Sequence, residues 1–332
     1  MNEKLVDSFG REVNYLRLSV TEKCNLNCFY CRSSPVDCGV VSQEESLSTA
    51  EFVRIGEVAI DLGVKRIRLT GGEPLLRPDI IDLVRGIASI PGIKDLSLTT
   101  NGVLLHRMAF ELAAAGLMRV NISLDSLDEA NFKHITNGGK LSNTLLGIEQ
   151  SIKAGLTPVK LNVVLLKGIN DHEIKNFLTM ARDKNLDIRF IEYMPCRQEG
   201  QWTSHFLSLE EVTEIAKTIG PLIPVEGEHG GGPARYFRFL GATGKIGLIS
   251  PLSRHFCDQC NRLRVTSDGK IKPCLFAEEE VDLKPHLQDK EMLKKKFREA
   301  LAIKPDPGQV AENPEERGKQ YKSVRTMTQT GG

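Results

Sequence analysis

The sequence lacks an excess of charge of either sign. Its 332 residues carry 44 Lys and Arg against 43 Asp and Glu, which gives a formal net charge of +1. Net charge therefore gives no reason to expect nucleic acid or an acidic membrane surface as a partner, and any anion site must be local. A content of 40% hydrophobic and 26% charged residues is typical of a globular chain with one large domain or two.

Targeting and membrane segments are also missing from the sequence. Residues 1–20 carry no apolar signal core, and Glu3, Asp7 and Glu12 are unlike the acid-poor composition of a transit peptide. No run of about 18 apolar residues is present to span a membrane. We therefore expect a cytoplasmic protein that does not need disulfides. Its eight cysteines are then candidate metal ligands or reactive thiols.

Three of the cysteines form a compact motif. Cys24, Cys28 and Cys31 have the spacing C-x3-C-x2-C and follow a strand-like run that ends at Val20. Thiolates are soft ligands that suit iron–sulfur clusters and zinc. Three thiolates leave one coordination position of such a site open. A catalytic site needs an open position to bind its substrate, whereas a structural site has all positions filled by the protein. A zinc knuckle without its fourth ligand and a chance grouping are the alternatives at this point.

The first two-thirds of the chain alternates strand and helix patterns. The strand patterns cover Tyr15–Val20, Arg66–Thr70, Asp95–Thr99, Arg119–Leu124, Val159–Leu165 and Asp187–Ile191. The helical patterns cover Thr49–Leu62, Asp79–Ser89, Leu104–Ala115, Leu141–Ala154 and Asp171–Asn185. Repeated strand–helix units predict an α/β fold with a parallel sheet, either doubly wound or curled into an incomplete barrel. Ligands of such sheets bind at the carboxyl ends of the strands.

Polar residues are concentrated where these strands end. The strand ends carry Thr70-Gly71-Gly72-Glu73, Thr99-Thr100-Asn101-Gly102, Ser123-Leu124-Asp125, Asn162 and Glu192-Tyr193-Met194-Pro195. A scaffold has no obvious use for such a repeated set, so we predict a site there. Gly71 and Gly72 allow the backbone to approach a ligand closely. Their N–H and carbonyl groups, with the charge of Glu73, suit the ammonium and carboxylate of a methionine moiety.

The last third of the chain changes to alternating strands. We predict strands at Arg235–Phe239, Lys245–Leu248, Leu263–Thr266 and Ile271–Cys274, after a loop that ends at His205 and a helix at Leu207–Ile219. Asp268-Gly269 predicts a two-residue hairpin turn that brings Cys274 back toward Cys257 and Cys260. This second triad again lacks an obvious fourth ligand, although His255 could complete a zinc site. Residues 305–332 have the polar, proline-bearing composition of a disordered tail.

The first triad followed by Gly71-Gly72-Glu73-Pro74 resembles the radical S-adenosylmethionine enzymes. The resemblance implies an incomplete (β/α)6 TIM-like barrel and a [4Fe–4S] cluster on Cys24, Cys28 and Cys31. One iron of that cluster would bind S-adenosylmethionine. The implied contacts to this cofactor are Tyr30, Gly71, Gly72, Glu73, Ser123 and Met194.

The string Cys257–Arg264 with Cys274, together with Asp7–Arg11, Gly232–Tyr236 and Gly331-Gly332, resembles the GTP 3′,8-cyclases of molybdenum-cofactor biosynthesis. The resemblance implies a second [4Fe–4S] cluster on Cys257, Cys260 and Cys274. It also implies a lyase that turns GTP into (8S)-3′,8-cyclo-7,8-dihydroguanosine 5′-triphosphate, with the first triad, Arg262 and Arg264 as catalytic residues. The implied GTP contacts are Arg17, Arg68, Thr99, Lys160, Arg262, Leu263 and Arg264.

The basic residues support an anionic substrate independently of the resemblance. Those on or beside strands that face the predicted cavity are Arg17, Arg66, Arg68, Lys160, Arg189, Arg262 and Arg264. Arg262 and Arg264 are two residues apart on a strand, so both side chains point to the same side. Guanidinium groups suit phosphate oxygens because they donate two parallel hydrogen bonds.

The resemblance also implies the organisation and partners of the chain. We expect a partial barrel at 1–220, an auxiliary-cluster region at 221–304 that closes the barrel and contains a small antiparallel β element, and a tail at 305–332 whose terminal glycines reach the active site. The implied partners are a low-potential donor of the ferredoxin or flavodoxin type, cyclic pyranopterin monophosphate synthase and a second copy of the chain. Arg32-Ser33 departs from the family pattern, and Cys38 and Cys196 lie outside both triads.

Two other functions stay open at the level of sequence. A radical enzyme that modifies a peptide would need the clusters but not the phosphate-binding arginines. An electron carrier or zinc module would not need Gly71-Gly72-Glu73.

Overall fold

The computed structural model describes residues 4–31, 46–195, 202–225, 232–321, 323 and 325–331. Arg32, Ser33, Cys38, Cys196 and Gly332, which the sequence singled out, lie outside the described residues. The strands are β1 Leu5–Val6, β2 Glu12–Val13, β3 Tyr15–Ser19, β4 Arg66–Thr70, β5 Asp95–Thr100, β6 Arg119–Ser123, β7 Lys160–Leu165, β8 Asp187–Glu192, β9 Leu222–Pro224, β10 Arg235–Phe239, β11 Lys245–Ile249, β12 Arg262–Val265, β13 Lys270–Lys272 and β14 Val281–Asp282. The helices are α1 Thr49–Asp61, α2 Ile80–Ala88, α3 Leu105–Ala114, α4 Glu129–Thr136, α5 Leu141–Lys153, α6 Ile174–Asp183, α7 Trp202–His205, α8 Glu210–Ile219, α9 Lys290–Ala302, α10 Pro314–Gln320 and α11 Met327–Thr330.

A parallel sheet built from strand–helix units forms the centre of the fold. Strands β3 to β8 lie side by side in chain order, and every neighbouring pair is parallel. Their ends agree with the predicted strands to within one residue. The α/β class and the parallel sheet are therefore confirmed.

The C-terminal strands extend both edges of this sheet. β12 pairs in parallel with β3, and β11 pairs in parallel with β8. The antiparallel strands β13 and β14 continue one edge, and β10 and β9 continue the other, which gives a mixed sheet of 12 strands. A separate two-stranded antiparallel sheet joins β1 to β2. The sequence predicted one small antiparallel element, whereas the structure divides the C-terminal strands between the two edges of the sheet.

The two faces of the parallel sheet differ in chemistry because side chains alternate along each strand. On one face, residues such as Leu16, Leu18 and Ile67 are fully buried in a hydrophobic core with Phe52 and Ile55 of α1. On the other, which we call the polar face, the strands present Tyr15, Arg17, Ser19, Arg66, Arg68, Thr70, Asn121, Lys160, Arg189, Arg262 and Arg264. All seven basic residues predicted to share a cavity lie on this face.

The prediction of a disordered tail is wrong for the described part of residues 305–332. This segment contains α10 and α11 and is anchored by buried contacts. The Arg317 guanidinium donates to the carbonyls of Leu252, Ala311 and Glu312. Tyr321 stacks on Phe276 with 4.0 Å between ring centroids. Composition suggested disorder because it does not reveal these partners. Leu252 and Phe276 are distant in the sequence, and the carbonyls of Ala311 and Glu312 reach Arg317 only in the folded turn.

Two further predictions about the helices need correction. The predicted loop before residue 206 contains α7, and the predicted helix at Leu207–Ile219 begins only at Glu210. In the described ranges, none of the helices is long and apolar enough to cross a membrane.

Candidate active site

The first cysteine triad lies in the loop that follows β3. Cys24, Cys28 and Cys31 are all partly buried. The loop packs on the end of α4, where the N–H groups of Asn27 and Phe29 donate to the carbonyls of Thr136 and Ile135, each at 3.2 Å. Burial raises the pKa of the Cys28 thiol, and Asp125, Cys31 and Cys24 raise it further. The structure thus places the three thiols within electrostatic reach of one another.

Asn101 and Asp125 are neighbours of this triad that were not among the predicted site residues. The Asn101 amide donates to the Cys24 sulfur at 3.9 Å and to the Asn25 side chain at 2.8 Å. Asp125 accepts a hydrogen bond of 2.5 Å from the Tyr30 hydroxyl, and burial raises its pKa to about 6. Both residues belong to the polar strand ends noted in the sequence, and position at a strand end was the signal that could have identified them.

Gly71 and Gly72 pack directly on the cysteine loop. The N–H groups of Gly72 and Glu73 donate to the carbonyls of Thr21 and Lys23, each at 2.7 Å. A Cβ atom on either glycine would overlap these backbone segments. Close approach therefore requires glycine here, but the close partner is the loop of the first triad. The expectation that the Gly72 N–H faces a ligand is corrected, because the loop uses that group, whereas the expectation for Gly71 stays a prediction.

Glu73 also faces the protein interior. Its side chain is 0% exposed and accepts hydrogen bonds from Thr100 Oγ1 at 2.7 Å, Asn101 N at 2.7 Å and Leu75 N at 3.1 Å. Burial raises the pKa of this carboxyl to about 7. The expectation that Glu73 adds charge at the ligand is corrected, because both oxygens join the glycine turn to the turn that carries Asn101. Glu73 thus positions the Asn101 amide beside Cys24.

The centre of the polar face carries a cluster of four arginines, Arg17, Arg68, Arg262 and Arg264. Arg264, Arg17 and Arg68 are direct partners across three neighbouring strands, and Arg262 lies two residues before Arg264. Within the described part of the chain, none of the four forms an ion pair with a carboxylate. By contrast, Arg119 and Lys160 on the same face are paired with Asp95 and Asp187.

Burial and mutual repulsion disfavour the charges of Arg17, Arg68 and Arg264, whereas Cys260 outweighs burial and raises the pKa of Arg262. Burial lowers the pKa of Arg17 far below its usual value, and Arg264, Arg68 and Arg262 lower it further. The pKa of Arg68 and that of Arg264 are each lowered to about 10, mainly by burial. Desolvated like charges are costly unless an opposite charge offsets them. The cluster is therefore suited to bind a strongly anionic ligand.

The remaining predicted substrate contacts fall on both faces. Lys160 donates to the Tyr236 hydroxyl at 3.3 Å and pairs with Asp187 at 3.1 Å. Thr99 is half-buried and pairs with Asn121 on the neighbouring strand. The side chain of Leu263 is 0% exposed and lies in the apolar core, on the face opposite to Arg262. Its prediction as a GTP contact is wrong for the side chain, since alternate residues of a strand face opposite sides.

The predicted cofactor contacts Tyr30 and Met194 come together around one small hydrophobic cluster. Both pack against a group of buried residues that includes Leu166, Tyr193 and Trp202. Ser123 lies at the end of β6 and is half-buried. These residues come from well-separated parts of the chain, and the fold brings Tyr30 and Met194 to the same wall beside the first triad.

The second triad is assembled at the start of β12. Cys257 lies in a short 3₁₀ turn that leads to Cys260, and Cys274 follows β13, the antiparallel partner of β12. The predicted hairpin of β12 and β13 is confirmed, but residues 266–269 connect the strands, so the turn is longer than the predicted two residues. Burial would raise the pKa of Cys260, but Arg262 and Lys304 outweigh it and hold this pKa at about 6. His255, the alternative zinc ligand, has a pKa lowered by burial and Arg317.

The two triads lie at opposite ends of the parallel strands. The first follows the carboxyl end of β3, whereas the second precedes the amino end of β12, the parallel neighbour of β3. The arginine cluster lies between them on the polar face. Tyr15 and Ser19 mark the length of β3, which is roughly 13 Å at about 3.3 Å per residue.

The described residues contain no group of three or more His, Cys, Asp or Glu side chains arranged to hold a single metal ion. An iron–sulfur cluster is held by thiolates on different irons and does not require them to converge on one ion. Each triad offers a soft, all-thiol donor set of the kind that suits such a cluster.

The end of the tail lies on the polar face beside the arginine cluster. Arg264 Nη1 donates to the carbonyl of Gly331 at 2.5 Å. A Cβ atom on Gly331 would overlap Thr70 Cγ2 and approach Ser19 Cβ to 3.3 Å. Gly331 has φ +69°, a conformation that favours glycine. The position therefore combines a left-handed backbone with a space too narrow for a side chain.

Two family models match consecutive parts of the chain. Residues 18–181 match the radical SAM superfamily, and residues 186–310 match Molybdenum Cofactor Synthesis C. Curated relatives named GTP 3′,8-cyclase cover nearly the whole sequence. That of Listeria monocytogenes is 45% identical over 331 residues, or 99% of both chains. That of Moorella thermoacetica is 43% identical over 329 residues, or 98% of this chain and 99% of the relative.

Solved structures share the fold at low sequence identity. SuiB of Streptococcus suis bound to S-adenosylmethionine has a TM-score of 0.62 and 15% identity, with coverage of 89% of this chain and 66% of that chain. Native anSMEcpe with bound AdoMet has a TM-score of 0.53 and 18% identity, with coverage of 85% and 79%. At these identities the likeness concerns the fold alone.

Proposed function

Because the chain belongs to the family of GTP 3′,8-cyclases, we propose that it converts GTP into (8S)-3′,8-cyclo-7,8-dihydroguanosine 5′-triphosphate, an early step of molybdenum-cofactor biosynthesis. The structural observation that carries this proposal is the arginine cluster. Four guanidinium groups without a described carboxylate partner, those of Arg68 and Arg264 buried and those of Arg17 and Arg262 partly buried, match the charge of a nucleoside triphosphate.

The first triad is the proposed site of radical generation. Cys24, Cys28 and Cys31 would hold a [4Fe–4S] cluster that, with bound S-adenosylmethionine, supplies a 5′-deoxyadenosyl radical. Tyr30, Gly71, Gly72, Ser123 and Met194 are the proposed cofactor contacts, through backbone carbonyls in the case of the glycines. Tyr30 and Met194 belong to an apolar wall that excludes water from this end of the site.

The polar face is the proposed substrate site. Arg17, Arg68, Lys160, Arg262 and Arg264 would hold the triphosphate and the base, with Thr99 nearby, so that the ribose lies between the two triads. The ribose C3′ of GTP would lose a hydrogen atom to the 5′-deoxyadenosyl radical, which becomes 5′-deoxyadenosine, and would bond to C8 of guanine. The resulting radical would take up one electron from the proposed low-potential donor and one proton from solvent. The arginines would offset the negative charge of the triphosphate during the reaction and keep the ribose in place.

The finer architecture belongs to the same proposal. Cys257, Cys260 and Cys274 would hold a second [4Fe–4S] cluster. The parallel strands would form an incomplete (β/α)6 barrel at 1–220, with a C-terminal region at 221–304 that flanks and closes it and a tail at 305–332. Support comes from β11 and β12, which continue the six central strands at both edges.

Partners and location are proposed on the same basis. The chain would act in the cytoplasm with a low-potential donor of the ferredoxin or flavodoxin type. It would supply its product to cyclic pyranopterin monophosphate synthase, and it would self-associate as a homodimer.

Product formation under anaerobic conditions tests the function. The protein is reconstituted with iron and sulfide, then mixed with dithionite and S-adenosylmethionine, with and without GTP. Only in the complete mixture do we expect mass spectrometry to detect 5′-deoxyadenosine and a cyclised isomer of GTP. Cleavage of S-adenosylmethionine with GTP left intact would contradict the substrate and favour a peptide-modifying radical enzyme. A fully reconstituted protein that never cleaves S-adenosylmethionine would contradict the radical chemistry.

A further inference from the structure

Lys304, beyond the end of α9, is buried directly behind the second triad. Its side chain is 4% exposed. The ammonium donates to the carbonyl of Pro273 at 2.7 Å, to the carbonyl of Arg262 at 2.9 Å and to the sulfur of Cys260 at 3.6 Å. An ammonium group has three hydrogens to donate, so these three acceptors satisfy it. Lys304 therefore connects the loop of Cys260 with the residue that precedes Cys274.

The charge of Lys304 has no carboxylate partner among the residues described in the structure. A buried ammonium group is costly unless a negative charge lies close by. The sulfur of Cys260 lies 3.6 Å from the ammonium, and it would carry such a charge once the triad binds iron.

Arg11 supports the same triad from the other end of the chain. Arg11 lies in the turn between β1 and β2, where Asp7 accepts a hydrogen bond of 2.5 Å from its guanidinium. The guanidinium also donates to the carbonyl of Cys257 at 2.9 Å and to the carbonyl of Pro305 at 2.8 Å. The segment Asp7–Arg11 thereby joins Cys257 to the residue that follows Lys304.

We propose that Lys304 is a positioning residue for the second cluster. Together with Arg11, Lys304 holds the three cysteines in place, and its ammonium group balances the negative charge of the cluster with its cysteine ligands. The proposal rests on the proposed function, because it requires that Cys257, Cys260 and Cys274 bind an iron–sulfur cluster. Two effects follow from the contacts. Loss of Lys304 loosens the triad, which weakens iron binding. Loss of its positive charge also favours the oxidised cluster, which lowers the reduction potential.

The test uses the full chain with Cys24, Cys28 and Cys31 changed to serine, so that iron can be held by the second triad alone. Into this parent we introduce Lys304→Met, which keeps the length of the side chain but removes its charge and donors, and Lys304→Arg, which keeps the charge. Lys295→Met, on the exposed side of α9, is the matched control. Iron and sulfide per chain, the electron paramagnetic resonance signal and its midpoint potential are measured after anaerobic reconstitution. Thermal unfolding is measured on the iron-free proteins.

We expect Lys304→Met to weaken iron retention by roughly 10- to 100-fold, as is usual for outer-shell partners of metal ligands, and to lower the potential of any cluster that remains. Lys304→Arg should restore both properties in part, and Lys295→Met should match the parent. The iron-free Lys304→Met protein should melt within a few degrees of the parent, because the ammonium group that is no longer buried offsets the three hydrogen bonds that are lost.

Several results would overturn the proposal. Unchanged iron retention and potential in Lys304→Met would show that Lys304 does not act on the cluster. Loss of iron together with a large fall in the melting temperature of the iron-free protein would show that Lys304 has a merely structural role. If the parent binds no iron, the second cluster itself is refuted. That result would contradict this part of the proposed function and would not depend on the substitution at position 304.

Discussion

Among single residues, Asp125 shows how burial changes the charge state of a group beside the first triad. Its carboxylate accepts hydrogen bonds from the Tyr30 hydroxyl and from Val164 N at 2.8 Å. These bonds favour the charged form, but burial outweighs them and raises the pKa from 3.8 to about 6. Asp125 thus carries a proton in the folded protein at pH values where an exposed aspartate does not.

This shift predicts a pH dependence of stability that Asp125→Asn removes. Because the folded pKa exceeds the unfolded one, the folded state binds more protons between about pH 4 and 6, and stability falls as pH rises through that window. The asparagine amide can still accept from Val164 and bond to Tyr30. In thermal unfolding of iron-free protein, the melting temperature of wild type relative to Asp125→Asn should fall from pH 4 to 6 and then level off. A difference that is constant with pH would contradict the shift.

The arginine cluster makes a prediction about substrate affinity. Charged hydrogen bonds contribute about 1.5–3 kcal/mol each, so Arg264→Ala should weaken GTP binding by roughly 10- to 100-fold. The iron-free variant should be no less stable than wild type, because one of several repelling buried charges is gone. Isothermal titration with GTP measures the affinity.

Arg85→Ala, on an exposed part of α2, is the control for this experiment. Among the described residues, its guanidinium pairs only with Asp82, three positions earlier, and the side chain is 62% exposed. We expect wild-type GTP affinity in this variant. Equal affinities in Arg264→Ala and wild type would remove the main structural support for a triphosphate substrate.

Among the elements, the tail makes the most specific contact with the polar face. α11 ends at Thr330, and the carbonyl of Gly331 accepts from Arg264. Arg325, just before α11, binds Glu280 and Asp268, with its two shortest ion pairs at 2.6 and 2.8 Å. These anchors place the end of the tail at Arg264, a proposed substrate contact, so a change there should affect turnover more than folding.

Gly331→Ala tests this with a matched control. Its side chain would overlap Thr70 in addition to occupying a left-handed backbone conformation, so product formation should fall strongly while both clusters are retained. Gly241→Ala has a similar φ of +81° but meets no described atom within 4 Å. That control should be destabilised by about 1–2 kcal/mol with normal turnover.

Deletion of Gly331 and Gly332 should likewise abolish product formation and leave both clusters in place. Addition of Thr70→Ser to Gly331→Ala removes the overlapping methyl group and should restore part of the activity. Full turnover in the truncated protein would show that the end of the tail takes no part in the reaction.

At the scale of the whole molecule, the polar face joins two cysteine triads at opposite ends of one sheet. The sequence predicted the central strands well, because alternating side chains and helix-ending glycines are local signals. It also identified both triads and the basic residues of the polar face. The helix α9 was missed although Leu293 and Phe297 follow helical spacing, since its many charged residues obscure the pattern.

Other features depend on contacts that no local pattern contains. The pairing of β12 with β3 joins Arg262 to Tyr15, 247 residues earlier in the chain, and only the fold decides it. The inward direction of Glu73 depends on donors in the turn at Thr100 and Asn101. Lys304 shows no signal in the sequence because its partners are two backbone carbonyls and one sulfur.

The transfer of the ribose 3′ hydrogen tests the proposed reaction most directly. Reconstituted wild-type protein is given dithionite, S-adenosylmethionine and GTP that carries deuterium at C3′, and 5′-deoxyadenosine is analysed by mass spectrometry. GTP with deuterium at C2′ is the control. We predict deuterium in 5′-deoxyadenosine with the C3′-labelled substrate and none with the C2′-labelled one. Unlabelled 5′-deoxyadenosine from both substrates would contradict a radical cyclisation that begins at C3′ of GTP.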